Sequence, residues 1–340
     1  MGIRGLNTCL HTTTPSSIKN VDWKTLESKR VGVDIQCFLY RAISNQLCPL
    51  KIIAEQIVSF RKQHITPIYV FDGKPPTEKT TVVSKRKTER NSAVEMCKKL
   101  RLTLESTVDL DERSSLLRQI SLIESKNPSI SYETKNTIKQ FLYATGVLFV
   151  TATSEADGLL AYLYKRNHID VVATFDFDLI PRGANIIIPN NISNPPGTQW
   201  SYYDYSAIKK GLGLNDSQFI DLCVLMGSDY TPELTIVPWA SALSSIRSGL
   251  SIRTIWERHT FSSWRRIDNT QNTNDDLLKL AKAKEILLGL TDTFESLLEQ
   301  EQIDKFTNMV KIDEQAALRG FKKLNSTWPD TWWTELGLQA

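Results

Sequence analysis

The sequence predicts an α/β fold with a largely parallel central sheet flanked by helices, and two observations carry that prediction. Three apolar, β-branched runs each end in aspartate: "RVGVDI" near Asp34, "PIYVFDG" at Asp72, and "VVATFDFD" at Asp176 and Asp178. Stretches with helical periodicity separate these runs, and strands alternating with helices build parallel sheets. Ligands in such sheets bind beyond the carboxyl ends of the strands, where all four aspartates would lie.

The elements follow in order. "CFLYRAISNQ" and "LKIIAEQIVSFRKQH" are helical stretches between the first two strands, and "SYETKNTIKQFLYATG" and "EADGLLAYLYKRNH" are helical stretches before the third. If "VVATFDFD" continues as a strand, Asp176 and Asp178 point to one side, roughly 7 Å apart. Beyond residue 180 come "NIIIPN", a Pro/Asn/Gly loop, "SYYDYSAIKKGLGL", and the helix "SQFIDLCVLMG" closed by Gly227 before Ser228-Asp229. The last hundred residues read as helical and carry tryptophans 239, 256, 264, 328, 332 and 333, whose expected role is packing. Residues 1–235 are expected to form the core and 236–340 a helical region for packing or duplex binding.

Composition bounds the function. The 340 residues are 41% apolar, enough for a sizeable core. The five cysteines show no CxxC and no paired spacing, and "MGIRGLNTCLHTTTP" has no apolar signal region, so reduced thiols inside a cell are expected. No apolar stretch reaches the ~18 residues of a membrane span. The net charge of +3 conceals a basic run, "KTTVVSKRKTERNSAVEMCKKLR" (79–101), with eight Lys or Arg against Glu89 and Glu95.

Seven acids stand out: Asp34, Asp72, Glu155, Asp157, Asp176, Asp178 and Asp229. Each has a local explanation available, since Ser154 and Asp157 resemble a capping box and Asp229 follows a helix end. Local explanations do not account for three separate strands ending in acid on one rim of a sheet. Crowded carboxylates repel unless cations neutralise them. An all-oxygen site without His or Cys suits Mg²⁺, with Mn²⁺ as a substitute, and two such ions ~4 Å apart form the clamp used for displacement at phosphate. Setting these acids aside leaves 41 basic against 31 acidic residues to face a partner, which suits a polyphosphate backbone.

"MGIRGL", "VGVDIQCFLY", "YVFDGKPP", "SEADGLLAYL", "TFDFDLI" and "LCVLMGSDY" together resemble, in order and over roughly residues 1–232, the flap endonuclease/XPG group of structure-specific 5′-nucleases. The resemblance implies a PIN-like nuclease fold, a Mg²⁺-dependent hydrolase acting on branched or 5′-ended DNA, and all seven acids as metal ligands. It places Lys79 and Arg86 at the positions that stabilise the scissile phosphate. Lys85, Lys87 and Arg90 lie in the same basic segment, and residues 79–132 become a helical arch that admits a 5′ single strand. Gly2 belongs to the start that packs near the site. Tyr40 falls where the family stacks an aromatic ring on a terminal base, and core packing is the alternative for it.

Two departures stand out. After Asp229 the chain reads "DYTPELTIVPWASAL", without the Gly-Ile-Gly-Pro-type hairpin that binds duplex with a monovalent ion. The Asp34-to-Asp72 interval is shorter than in cellular flap endonucleases, which use an insertion there as a wedge. No sliding-clamp peptide is visible, and a monomer is expected. An RNA-cutting member of the same superfamily, or a non-catalytic nucleic-acid-binding scaffold, are the rival readings.

Overall fold

The structure is a computed structural model that describes residues 2–190, 192, 199–231, 236–262, 273–289 and 292–299. Helix α1 (Leu6–Thr13) leads into strand β1 (Ile18–Val21), then β2 (Arg30–Asp34), α2 (Ile35–Ser44), α3 (Pro49–Lys62) and β3 (Thr66–Phe71). A long helix, α4 (Thr80–Ser106), turns back through α5 (Leu110–Lys126), and α6 (Tyr132–Ala144) returns the chain to β4 (Phe149–Thr151). Then come α7 (Ala156–Lys165), β5 (Val171–Ala173), β6 (Ile186–Pro189), β7 (Trp200–Tyr203), α8 (Tyr205–Leu212) and α9 (Asp216–Met226). Helices α10 (Trp239–Arg247), α11 (Ile252–Ser262), α12 (Thr273–Leu288) and α13 (Phe294–Leu297) follow.

Among the described residues, seven strands form one sheet in the order β1-β7-β6-β5-β2-β3-β4. The pairs β2–β3, β2–β5, β3–β4 and β5–β6 are parallel, and β7 runs antiparallel to both β1 and β6. The order reverses between β2 and β5, since β3 and β4 extend the sheet to one side of β2 and β5 and β6 to the other. Such a reversal opens a crevice at the strands' carboxyl ends.

Alternation along the strands explains the layers. Tyr69 and Phe71 join α2, α3 and α6 on one face, while Ile68 and Val70 join α1, α7 and α9 on the other. Gly32 in β2 permits close approach of α7: a Cβ there would lie 2.8 Å from a Leu160 methyl and 2.5 Å from a methyl of Ile169. Of the C-terminal tryptophans, Trp256 is buried and Trp239 partly buried in this second core, which also takes Leu280 and Leu287 of α12. Trp264, Trp328, Trp332 and Trp333 lie outside the described residues, as does the stretch 232–235 beside the expected boundary at 235. Among the described residues, no helix is long and apolar enough to cross a membrane.

The basic run lies on α4, which forms a helical hairpin with α5 within residues 79–132. Arg113 fixes the turn by donating to the carbonyls of Leu104 and Thr107 at 2.7 and 2.9 Å. The helices α2 and α3 are joined only by residues 45–48, in keeping with the short Asp34-to-Asp72 interval.

A candidate metal centre at the carboxyl edge of the sheet

Four parallel strands deliver six of the seven acids, and Asp229 follows α9. Asp34 ends β2, Asp72 follows β3, Glu155 and Asp157 follow β4, and Asp176 and Asp178 follow β5. Strand β4, which precedes the "SEADG" segment, is too short at three residues to show alternation in the sequence.

The Asp176/Asp178 pair departs from the strand expectation. Strand β5 stops at Ala173, and Phe177–Leu179 form a 3₁₀ turn with Asp176 as its N-cap. Local hydrogen bonds win over strand extension here. Asp176 Oδ1 accepts from the Asp178 amide at 3.1 Å, and Thr174 Oγ1 accepts from the Asp176 amide at 3.0 Å. The turn brings the acids closer than a strand would, so that Asp157, Asp176 and Asp178 each place a carboxylate oxygen within 4.8 Å of the others.

Asp34 joins this group through Thr174, whose hydroxyl donates to Asp34 Oδ2 at 2.9 Å. Asp72 is held by the Ala156 amide at 2.8 Å, at the start of the helix that carries Asp157. Glu155 and Asp229 stand across from the two expected arch cations. Lys79 Nζ is 2.8 Å from Glu155 Oε1 and 3.6 Å from Asp229 Oδ2, and Arg86 reaches both Asp229 oxygens at 3.0 and 2.9 Å.

Burial makes this edge expensive for negative charge. Desolvation first, and then the charge of Asp72, push the Asp34 carboxyl up to about 7; desolvation and the charge of Asp176 push Asp178 up to about 8. Asp157 is driven well above the carboxylate range by burial and then by Asp176 and Asp34. Asp178 is 1% exposed, and its Oδ1 has no hydrogen-bond partner among the described residues. A buried carboxylate oxygen without a donor, among acids that repel one another, is a site shaped for a cation. The donors are all oxygens, which fits Mg²⁺ or Mn²⁺.

Gly2 closes one side of this group. Its φ is +93°, and a Cβ on it would lie 2.1 Å from Asp176 Oδ1 and 2.8 Å from Asp178 Oδ1, so only glycine leaves these oxygens room.

The remaining expected residues are less involved. Tyr40 is half-buried on α2, while Lys85, Lys87 and Arg90 lie along α4, where Arg90 Nε donates to the Arg86 carbonyl at 3.2 Å. Three further residues belong to the site. Thr174 bridges Asp34 and Asp176. Tyr230 donates to Glu155 and lies under the Lys79 ammonium, 4.4 Å from its ring centroid. Arg182, 5% exposed, donates to the Tyr230 hydroxyl at 3.4 Å. Tyr230 directly follows Asp229 in "GSDY" and could have been suspected from the sequence, whereas "LIPRG" gives no local sign that its arginine is buried.

The XPG N-terminal domain model matches residues 1–93, and the XPG I-region model matches residues 146–229; together they span more than half of the chain, including all seven acids. The chain belongs to the flap endonuclease/XPG family. Family relatives include flap endonuclease 1 of Glossina morsitans morsitans, 28% identical over 273 residues, which cover 76% of this chain and 69% of the relative. Flap endonuclease 1 of Homo sapiens is 25% identical over the same length and shares. The fold is shared with the catalytic core of Rad2 in complex with DNA substrate (TM-score 0.61, 20% identity, 98% of this chain and 100% of that one). It is also shared with the Holliday junction-resolving enzyme GEN1 in complex with product DNA and Mg²⁺ (TM-score 0.56, 15% identity, 93% and 72%). Residues 94–145, between the two family-model matches, hold the second half of α4, with α5 and α6.

Proposed function

We propose that the chain is a divalent-metal-dependent, structure-specific 5′-nuclease that hydrolyses phosphodiester bonds in branched or 5′-ended DNA. The observation that carries this reading is the buried group Asp157, Asp176 and Asp178, with one oxygen of Asp178 left without a donor, at a sheet edge faced by Lys79 and Arg86. Family membership supports the reading, since the two matched regions, residues 1–93 and 146–229, contain these residues.

In this reading Asp34, Asp72, Glu155, Asp157, Asp176, Asp178 and Asp229 hold two Mg²⁺ ions, with Mn²⁺ able to substitute. Bound there, the ions supply Lewis acidity at the phosphate and lower the pKa of water. The chain's own residues do the rest. Lys79 sits at the base of the arch; burial opposes its charge, but Tyr230, Glu155 and Asp157 more than offset this and hold the ammonium protonated. It and Arg86 are placed to stabilise charge developing on the scissile phosphate. Tyr40 offers a half-buried ring to the terminal base, and the α4–α5 hairpin with Lys85, Lys87 and Arg90 draws in the 5′ strand. We further infer a monomer working where DNA is replicated or repaired, in the nucleus or at a cytoplasmic replication site.

Seven acids and two cations gathered at one edge speak against a non-catalytic scaffold, which would bind phosphate better without the acids. Cleavage of end-labelled flap, gap, nick, bubble and four-way junction DNAs in Mg²⁺, beside matched RNA flaps, tests the proposal. DNA products cut at the branch support it; cleavage of RNA alone supports the RNA-cutting rival.

A further inference from the structure

Helix α7 brings Asp157 to the metal centre at its first turn and lines a different cavity at its last. This second cavity, of about 170 Å³, is bounded by Lys165 at the end of α7, by Arg166 just after it, by Arg182, and by Leu287, Gly289 and Asp292. It holds three formal positive charges against the single carboxylate of Asp292. Lys165 and Arg166 are exposed at the mouth, and Arg182 is buried.

Asp157 and Asp178 favour the charge of Arg182 as Asp292 does, but among the described residues no carboxylate is hydrogen-bonded to it. Arg182 NH1 lies 3.8 Å from Asp292 Oδ2, beyond hydrogen-bond reach, and its buried Nε has no partner among the described residues. Burial first, and then the charge of Arg182, hold the Lys165 ammonium below its ordinary range, and Lys165 Nζ makes a long contact of 3.4 Å with the Leu288 carbonyl. A buried guanidinium with an unused donor, beside a lysine that its charge disfavours, gains from an anion.

We propose that this cavity is a phosphate site beside the catalytic edge, sharing Arg182 with it, and taking either a free phosphate group or a backbone phosphate of bound DNA. The planar fork of Arg182 suits a tetrahedral oxyanion, and Lys165 and Arg166 supply point charges at the mouth. Since a single buried water needs only about 10–15 Å³, the cavity has room for a phosphate together with some of its hydration. The site is wired to the catalytic edge, because Arg182 donates to the Tyr230 hydroxyl, which in turn donates to Glu155.

The test is a titration of the full-length protein with inorganic phosphate in the presence of chelator, followed by ³¹P line broadening or calorimetry. The comparison protein is Lys165→Gln/Arg166→Gln, whose substituted side chains are exposed and should leave folding intact, as a thermal melt will confirm; Lys165→Glu serves if the double variant melts early. The proposal predicts that wild type binds phosphate at least about tenfold more tightly than the variant. Displacement of this phosphate by an unbranched duplex would assign the site to the DNA backbone, and failure to displace it would assign free phosphate. Equal phosphate affinity in wild type and variant would overturn the proposal.

Discussion

Lys79 Nζ lies 2.8 Å from Glu155 Oε1, at the junction between the basic hairpin and the acidic sheet edge. The lysine is 6% exposed, so the pair is shielded from solvent and Lys79 is a fixed part of the acid centre. Arg86, two turns further along α4, pairs with Asp229 while remaining partly exposed. Of the two cations, Arg86 is the one free to follow the hairpin, and Lys79 the one that holds its base.

Arg86→Ala should therefore act on rate. A charge that serves the transition state contributes to turnover more than to affinity, and such groups are commonly worth about 3 kcal/mol, or roughly a hundredfold. Single-turnover cleavage of a 5′-flap DNA should slow by about that factor with little change in binding. An unchanged rate would return Arg86 to a solvated helix face.

Gly2→Ala places a methyl group against the Asp176 and Asp178 oxygens, at a backbone conformation that favours glycine. Divalent-ion binding, followed by calorimetry with Mn²⁺, should weaken by at least about tenfold, or ~1.4 kcal/mol. Wild-type Mn²⁺ affinity in this variant would show that the acids can move aside freely.

The raised carboxyls of Asp34, at about 7, and Asp178, at about 8, make a pH prediction. The folded chain holds these protons at pH values where the unfolded chain, with ordinary carboxyls near about 4, has released them. In chelator, the contribution of these groups to stability is thus greatest at low pH and falls as pH rises through the interval from about 4 to 8. Divalent ions take the place of those protons, so Mg²⁺ should raise the melting temperature more near pH 8 than near pH 6. The reverse order in thermal melts would contradict the burial of these acids.

Much of this was legible in the sequence. The buried strands announce themselves as apolar runs ending in acid, and a parallel sheet places those ends together. What the sequence could not show depended on competition between local and long-range hydrogen bonds. Asp176 and Asp178 belong to a run that reads as strand, yet Thr174 and Asp176 close a turn and end β5 early. Strand β4 lies below the length at which periodicity can speak. Arg182 is buried only because Tyr230, Asp157 and Asp292, all distant in sequence, meet around it.

The four residues between α2 and α3 leave little room for a wedge against a 3′ nucleotide. Adding a one-nucleotide 3′ flap to a 5′-flap DNA should change the cleavage rate by less than about threefold, or ~0.7 kcal/mol. A preference of about tenfold or more for the double flap would show that another element supplies that pocket.

The most direct test of the metal centre is Asp178→Asn, which removes one carboxylate of the buried group while keeping its shape. Cleavage of a 5′-flap DNA in saturating Mg²⁺, measured beside binding of the same DNA, should be nearly abolished while binding holds or tightens, since a charge that repels phosphate is also lost. Retention of most of the wild-type turnover would contradict the assignment of these acids as the seat of catalysis.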